Sequence, residues 1–266
     1  MIRVNLNLAG ITRGQVAHES KFGPWTLTGV TYAPGARYPA HAHEQPYVCL
    51  VLSGGFREEH RSRVEEAEAG SVVFMPAGQS HQDKIADRGA RSFVITMDRT
   101  RVRQQPACWH VERAGPFARS MLSILKLAQA GLLDQTTIEE SLLAAWDALA
   151  QSKCTPASPA VARRARDYLT AHRDEPLRLG AIANELGVSR SYLARAFRHA
   201  FGCTMGIYQR RLRLQQAMGL IADGNSLARA AAAAGFADQS HLSRVIRREL
   251  DLTAAGYRSL ARSAVS

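Results

Sequence analysis

Apolar positions along this chain follow two different periods. Up to about residue 97 they come in short alternating or unbroken runs. Trp25–Ala33, Tyr47–Leu52, Phe56–Arg61, Ser71–Met75 and Arg91–Met97 are rich in β-branched and aromatic residues and are bounded by Gly, Pro and Ser, which predicts strands. Short strands at regular spacing predict a sandwich or barrel. Beyond Pro116 the period becomes helical. Pro116–Gly131 carries a stripe of Met121, Leu122, Leu125 and Leu127, and Thr137–Gln151 carries one of Leu142, Leu143, Trp146 and Leu149. Thr136 or Thr137, followed by Glu139 and Glu140, resembles a capping box. Such helices cover a sheet or form a dimer interface. Lys153–Pro159 (KCTPASP) has two prolines and no periodicity, and is read as a linker. The expected organisation is an all-β domain over 1–105, a helical linker or dimerisation region over 106–157, and an all-α domain over 158–266.

The all-α part contains one pattern twice. Residues 182–202 read IANELGVSRSYLARAFRHAFG, and residues 230–251 read AAAAAGFADQSHLSRVIRRELD. Ala183, Gly187, Leu193, Arg195 and Arg198 correspond to Ala231, Gly235, Leu242, Arg244 and Arg247, with one extra residue in the second turn. Each copy predicts helix, glycine turn, helix. Leu179, Ile182, Ala183 and Leu186 give the first helix an apolar face, and Gly187 ends it in the left-handed conformation that glycine adopts cheaply. Ser189 caps the next helix, which runs to about Ala200. Leu193 and Phe197 face the core there, which leaves Arg190, Ser191, Ala194, Arg195 and Arg198 on other faces. In the second copy Leu242 and Ile246 face the core, and Gln239, Ser240, His241 and Arg244 are free. In a helix-turn-helix the second helix enters the major groove, where an arginine fork matches guanine O6 and N7. Between the copies, Tyr208–Ile221 reads as an apolar-periodic helix whose Arg210, Arg211 and Arg213 meet phosphate or solvent.

Charge sharpens this division. The chain of 266 residues has a formal net charge of +11. From Ser158 onward there are 17 arginines, no lysine and 8 acidic residues, so nearly all of the excess lies in the all-α part. That part is the one suited to a polyanion. The chain has no apolar run long enough to span a bilayer, and its start, MIRVNLNLAG, lacks the order of a signal peptide. Cys49, Cys108, Cys154 and Cys203 form no metal-type pair and read as reduced thiols, which suggests the cytoplasm.

From Val161 to Leu260 the sequence resembles the AraC/XylS family of transcription regulators. The resemblance rests on the two copies, the linker helix beginning YQRRLRLQQA, and the terminal GYRSL. It implies seven helices with two helix-turn-helix units joined by a long helix. By position it maps the first recognition helix to Arg190–His199, with Ser191, Ala194 and Arg195 facing bases. It maps the second to Asp238–Arg248, with Gln239, Ser240, His241 and Arg244 facing bases. Arg190, Arg198, Arg210 and Arg211 are phosphate candidates. Departures cluster in the second unit. Ala230 replaces the usual isoleucine, Leu242 and Ile246 replace phenylalanines, Asp251 replaces a glycine and Ala254 a proline.

Two turns in the β part carry further chemistry. Gly35-x5-His41-x-His43 precedes Gly54-Gly55, and Gly70-x5-Pro76-x-Gly78-x2-His81 follows. Together they resemble the two motifs of the cupin fold, a small jelly roll. The glutamate usual a few residues after the paired histidines is absent, since Tyr47 or Val48 stands there, and Glu44 is off the spacing. His41 and His43 lie two apart on a strand and face the same way. With His81 they form a candidate set for a divalent metal, because three imidazoles suit Zn, Ni, Cu or Fe(II). The same residues with Tyr47 are candidates for lining an effector pocket.

The expected protein is a homodimeric cytoplasmic regulator. It binds duplex DNA, senses a small molecule in a cupin, and works on RNA polymerase if it activates. No enzyme activity and no membrane partner are expected. The rivals are a metal-dependent cupin enzyme fused to a DNA-binding domain, and a DNA binder without an effector.

Overall fold

A computed structural model describes residues 13–60, 63–98, 109–142 and 160–263. Eight antiparallel strands come first. They are β1 (Gln15–Phe22), β2 (Trp25–Tyr32), β3 (Arg37–His41), β4 (Tyr47–His60), β5 (Arg63–Glu68), β6 (Ser71–Met75), β7 (His81–Met97) and β8 (His110–Arg113). The sheet runs β1-β2-β7-β4-β6-β8, with β3 on β7 and β5 on β4. Helices follow: α1 (Pro116–Gln129), α2 (described over 135–142), α3 (Ala160–Ala171), α4 (Leu179–Glu185), α5 (Arg190–Phe201), α6 (Met205–Ala222), α7 (Leu227–Ala233), α8 (Gln239–Leu250) and α9 (Ala254–Ser263). A β-rich cupin-like part followed by a helical part is the fold class expected. The rest of the second linker helix and the Lys153–Pro159 linker lie outside the described residues, as do Cys108 and Cys154.

The strands differ from expectation in length and number. Tyr47–Leu52 and Phe56–Arg61 were expected as two strands, but β4 is one strand of 14 residues. It bends at Gly54 (φ +66°), where a Cβ would lie 1.9 Å from the carbonyl oxygen of Gly89 on β7, so the two strands cross only because glycine is there. β7 reaches back from Arg91 to His81 and pairs with β4 along both halves. β1, β3, β5 and β8 carry mixed polar sequence without clean alternation, and their pairing is imposed by the strand beside them. β8 comes from the stretch read as a helical connector. Its Glu112 accepts the Phe117 N–H at 2.8 Å and so caps α1, whose own N-cap is a glycine.

Both faces of the sheet are covered, which explains the unbroken apolar runs in β4 and β6. Val48, Leu50, Leu52, Phe74, Phe93 and Ile95 pack on one face against Met121 and Leu122 of α1 and Leu214, Met218 and Ile221 of α6. Cys49, Val51, Val73, Met75, Val94 and Trp109 fill the opposite, inner face. The stripe on α1 is therefore buried within its own chain.

The helical part repeats itself in structure as in sequence. Gly187 (φ +68°) and Gly235 (φ +70°) make the two turns. Ser189 Oγ accepts from Tyr192 N at 3.2 Å, and Asp238 Oδ1 accepts from His241 N at 2.7 Å, capping α5 and α8. Leu193 and Phe197 of α5, and Leu242 and Ile246 of α8, are all buried. Ala230 and Ala231 of α7, with Ala234 just past its end, are buried in the same core as Leu242 and Ile246.

Candidate DNA-reading helices and imidazole cluster

Buried leucines turn α5 and α8 so that their other faces point outward. Ser191, Ala194 and Arg195 on α5, and Gln239, Ser240, His241 and Arg244 on α8, are exposed. Arg190 and Arg198 on α5 and Arg210 on α6 are exposed as well. Arg211 is placed differently. It is half-buried beside Glu112, and its Nε is buried without a hydrogen-bond partner among the described residues. Arg213 corrects the expectation that all three arginines of this helix meet phosphate or solvent. Its guanidinium donates to the carbonyls of Arg173 (2.6 Å), Glu175 (2.7 Å) and Gly235 (3.1 Å). It ties α6 to the loop between α3 and α4 and to the turn of the second unit.

The two cupin motifs meet through one backbone bond, from Gly78 N to the carbonyl of His43 (2.8 Å). That bond brings the turn before His81 against the paired histidines. His41 pairs in register with His81 across β3 and β7. The three rings cluster with centroids 4.4 Å (His41–His81), 5.0 Å (His41–His43) and 5.0 Å (His43–His81) apart. Tyr47 stands edge-on to His43 at 5.0 Å. All four effector-pocket candidates are thus brought together.

Two carboxylates join them that sequence spacing did not mark. Asp83 follows His81 by two positions and shares its face of β7. Its Oδ2 lies 3.7 Å from His41 Nε2 and 3.8 Å from His81 Nε2. Glu58 on β4 is paired in register with Asp83, and its Oε1 is buried with no hydrogen-bond partner among the described residues. One donor atom each from His41, His43 and His81 lies within 4.8 Å of the others, and the same holds for Glu58, His81 and Asp83. Only the fold brings β4 beside β7 here; the nearest sequence signal was an aspartate two residues past the second motif.

Burial sets the charges. It pushes the His81 imidazole down to about 4 and lowers that of His41. It pushes the Asp83 carboxyl up to about 7, and it raises Glu58, to which the facing Asp83 and then Glu65 add. At neutral pH His41 and His81 are therefore uncharged, and their approaches to Asp83 are neither ion pairs nor, at 3.7–3.8 Å, hydrogen bonds. Three imidazoles and two carboxylates suit a divalent transition metal. The space beside Tyr38, His41, His43, Tyr47 and Asp83 is about 30 Å³. That holds an ion or a water molecule, whereas organic ligands occupy pockets of roughly 300–1,000 Å³. A cleft of about 580 Å³ opens elsewhere, between β4, β5 and β7 and the flank of α6, with Arg57, Glu68, Lys84, Arg173 and Asp223 on its walls.

Comparison with known proteins agrees with both halves. A helix-turn-helix domain family matches residues 182–259, and a ChrR cupin-like domain family matches residues 4–98. Regulatory protein SoxS of Salmonella typhimurium is 37% identical over 94 residues, covering 35% of this chain and 87% of that protein. The probable transcription factor PqrA of Proteus vulgaris is 32% identical over 87 residues, covering 32% of this chain and 71% of that protein. Among solved structures, ToxT of Vibrio cholerae O395 aligns over 90% of this chain and 99% of its own, at 11% identity and a TM-score of 0.41.

Proposed function

The chain belongs to the AraC/XylS family of transcription regulators, and from that premise we propose that α5 and α8 read adjacent major-groove segments of one duplex while the cupin senses a small ligand. The observation that carries this is the paired outward face. Two capped helices, each anchored by a buried leucine, present Ser191, Ala194 and Arg195 on one unit and Gln239, Ser240, His241 and Arg244 on the other. Residues at these places near a recognition helix N-terminus meet base edges, and two such helices on one DNA face lie about 34 Å apart. Arg195 is assigned a guanine, with Arg244 and Gln239 next. Arg190, Arg198 and Arg210 hold phosphates and set register without reading sequence. Arg211 joins them only if its half-buried guanidinium leaves Glu112.

The remainder of the proposal is organisational. The units are the cupin over 1–105, the connecting region over 106–157 and the DNA-binding domain over 158–266. The chain acts in the cytoplasm as a homodimer, reading two such sites, and activates through RNA polymerase. We assign the dimer contact to the connecting region, and exposed Leu132 (70%) there supports that assignment. The protein is not an enzyme on this reading, which the missing cupin glutamate at Tyr47–Val48 and the small space of about 30 Å³ beside His41 and His43 support. Among the described residues no helix is long and apolar enough to cross a membrane.

Selection from random duplex DNA with the full chain tests the central reading. Two base clusters about ten base pairs apart are expected. One cluster restricts base reading to a single unit. No enrichment, with or without added divalent metal, overturns the assignment.

A further inference from the structure

We infer that Gly180 of α4 is a positioning residue for DNA binding: it seats the Arg190 guanidinium of the first recognition helix flat against α4 and presents that fork, already oriented, to a backbone phosphate. This deepens the DNA-binding reading above and rests on it for the phosphate itself. The inference begins with a glycine whose backbone does not call for one. Gly180 lies inside α4, outside the set of glycines held at positive φ. A glycine in a helix is less favourable than an alanine, because it gives up more backbone freedom on folding. Gly187, at φ +68° in the turn that follows, does need to be glycine.

What the missing Cβ leaves room for is Arg190. A Cβ on Gly180 would meet Arg190 Nε at 3.3 Å, Cζ at 3.5 Å and Nη2 at 3.6 Å, and no other group as closely. Three nearly equal distances put the flat face of the guanidinium, not its edge, over the glycine. A guanidinium donates in its own plane, so its N–H edge stays free to meet an acceptor. Arg190 is exposed, and its donors have no hydrogen-bond or ion-pair partner among the described residues. The fork is therefore placed but unoccupied. Placing a long side chain before contact removes an ordering cost that a free arginine meets on binding.

The second unit serves as an internal comparison. Aligned on Ala183 and Ala231, the counterpart of Gly180 is Ala228. Aligned on Leu193 and Leu242, the counterpart of Arg190 is Gln239. Glycine and arginine are replaced together. The cap changes with them, since α5 starts on Ser189 and α8 on Asp238. A carboxylate at that place repels a phosphate, whereas a serine hydroxyl does not. This phosphate contact thus belongs to the first unit, and the same end of α8 is left to bases.

The test uses the full chain, the selected DNA site and a duplex of shuffled sequence, over a range of salt concentrations. Arg190→Ala should weaken both duplexes by one factor and reduce the slope of log affinity against log salt by about 0.9, the share of a single phosphate. Gly180→Leu should weaken both by about threefold to tenfold, the worth of ordering one long side chain. In an Arg190→Ala background Gly180→Leu should have no effect on binding. A loss that persists there comes from damage to α4 and overturns the seat, as does Gly180→Leu without any loss. An unaltered salt slope in Arg190→Ala removes the phosphate contact while the DNA-binding reading stands. A loss confined to the selected site makes Arg190 a base reader and overturns the assignment. If the parent chain binds neither duplex, the DNA-binding reading falls and takes this inference with it.

Discussion

At the scale of the residue, what separates a reader from a holder is whether its guanidinium is already spent. Arg195 is exposed beside the buried Leu193 on α5 and is available to a base. Arg195→Ala should cost about 1–3 kcal/mol on the preferred site and relax choice at one base pair. Affinity measured on the selected site and its single-base variants checks this, and equal losses on every sequence would make Arg195 a phosphate contact. Asp251 poses a different residue-scale question. It ends α8 at φ +54°, where α5 ends on Gly202 at φ +67°. The left-handed conformation strains a residue with a Cβ, although Asp tolerates it better than most. Asp251→Gly should therefore stabilise the protein by about 1 kcal/mol, read as a raised midpoint in urea. An unchanged or lowered midpoint would mean that the carboxylate makes up for the strain.

At the scale of the element, α6 is the hub of the helical part, and Arg213 fastens it. Its three carbonyl partners come from the loop between α3 and α4 and from the turn of the second unit. Arg213→Met keeps the aliphatic stem and removes the charge-assisted bonds. It should destabilise the fold by about 2–3 kcal/mol in denaturant unfolding while leaving the salt slope of DNA binding unaltered. A flattened slope with unaltered stability would return Arg213 to the phosphate contacts. This residue also marks where sequence reading ends. The helices were legible because their signals are local: glycine turns at Gly187 and Gly235, caps at Ser189 and Asp238, and leucines at helical spacing. The clustered histidines were legible for a similar reason, since His41 and His43 stand two apart in sequence, the first at the end of β3 and the second just beyond it. Arg213 looked like its neighbours, because the carbonyls it binds are 22 to 40 residues away in the chain. Asp83 and Glu58 escaped for the same reason. Their meeting is a register between β4 and β7, and register across a long crossover leaves no mark in either strand alone. The polar edge strands β1 and β5 owe their conformation to their partners, so their own residues did not announce them.

At the scale of the whole molecule, the sheet and the DNA-binding helices share one core. Met218 of α6 packs beside Gly70, and Gln215 donates to Ser71 Oγ at 2.7 Å. Glu65 on β5 receives Arg113 at 3.0 Å and Arg166 of α3 at 3.1 Å, so a single buried carboxylate binds both halves. Arg119 of α1 donates to the last carbonyls of α8, a cation set at the negative end of the second recognition helix. Tyr257 is the most revealing of these contacts. It is buried on α9, and its hydroxyl donates at 2.6 Å to the carbonyl of Leu52, which falls in the β4 bulge where pairing with β7 shifts register. The terminal tyrosine of the DNA-binding domain thus satisfies an acceptor that lies where the sheet ladder is disrupted. Tyr257→Phe leaves that oxygen unpaired and should cost about 1–2 kcal/mol. If the shared core makes the halves one cooperative unit, calorimetry of the full chain should show a single transition, lowered by a few degrees in the variant. Two transitions, with only one displaced, would mean that the halves unfold independently and that the seam is a weak contact. In that case a signal at the imidazole cluster would have no rigid route to α6, since bias can pass between two sites only through an element whose state both of them share.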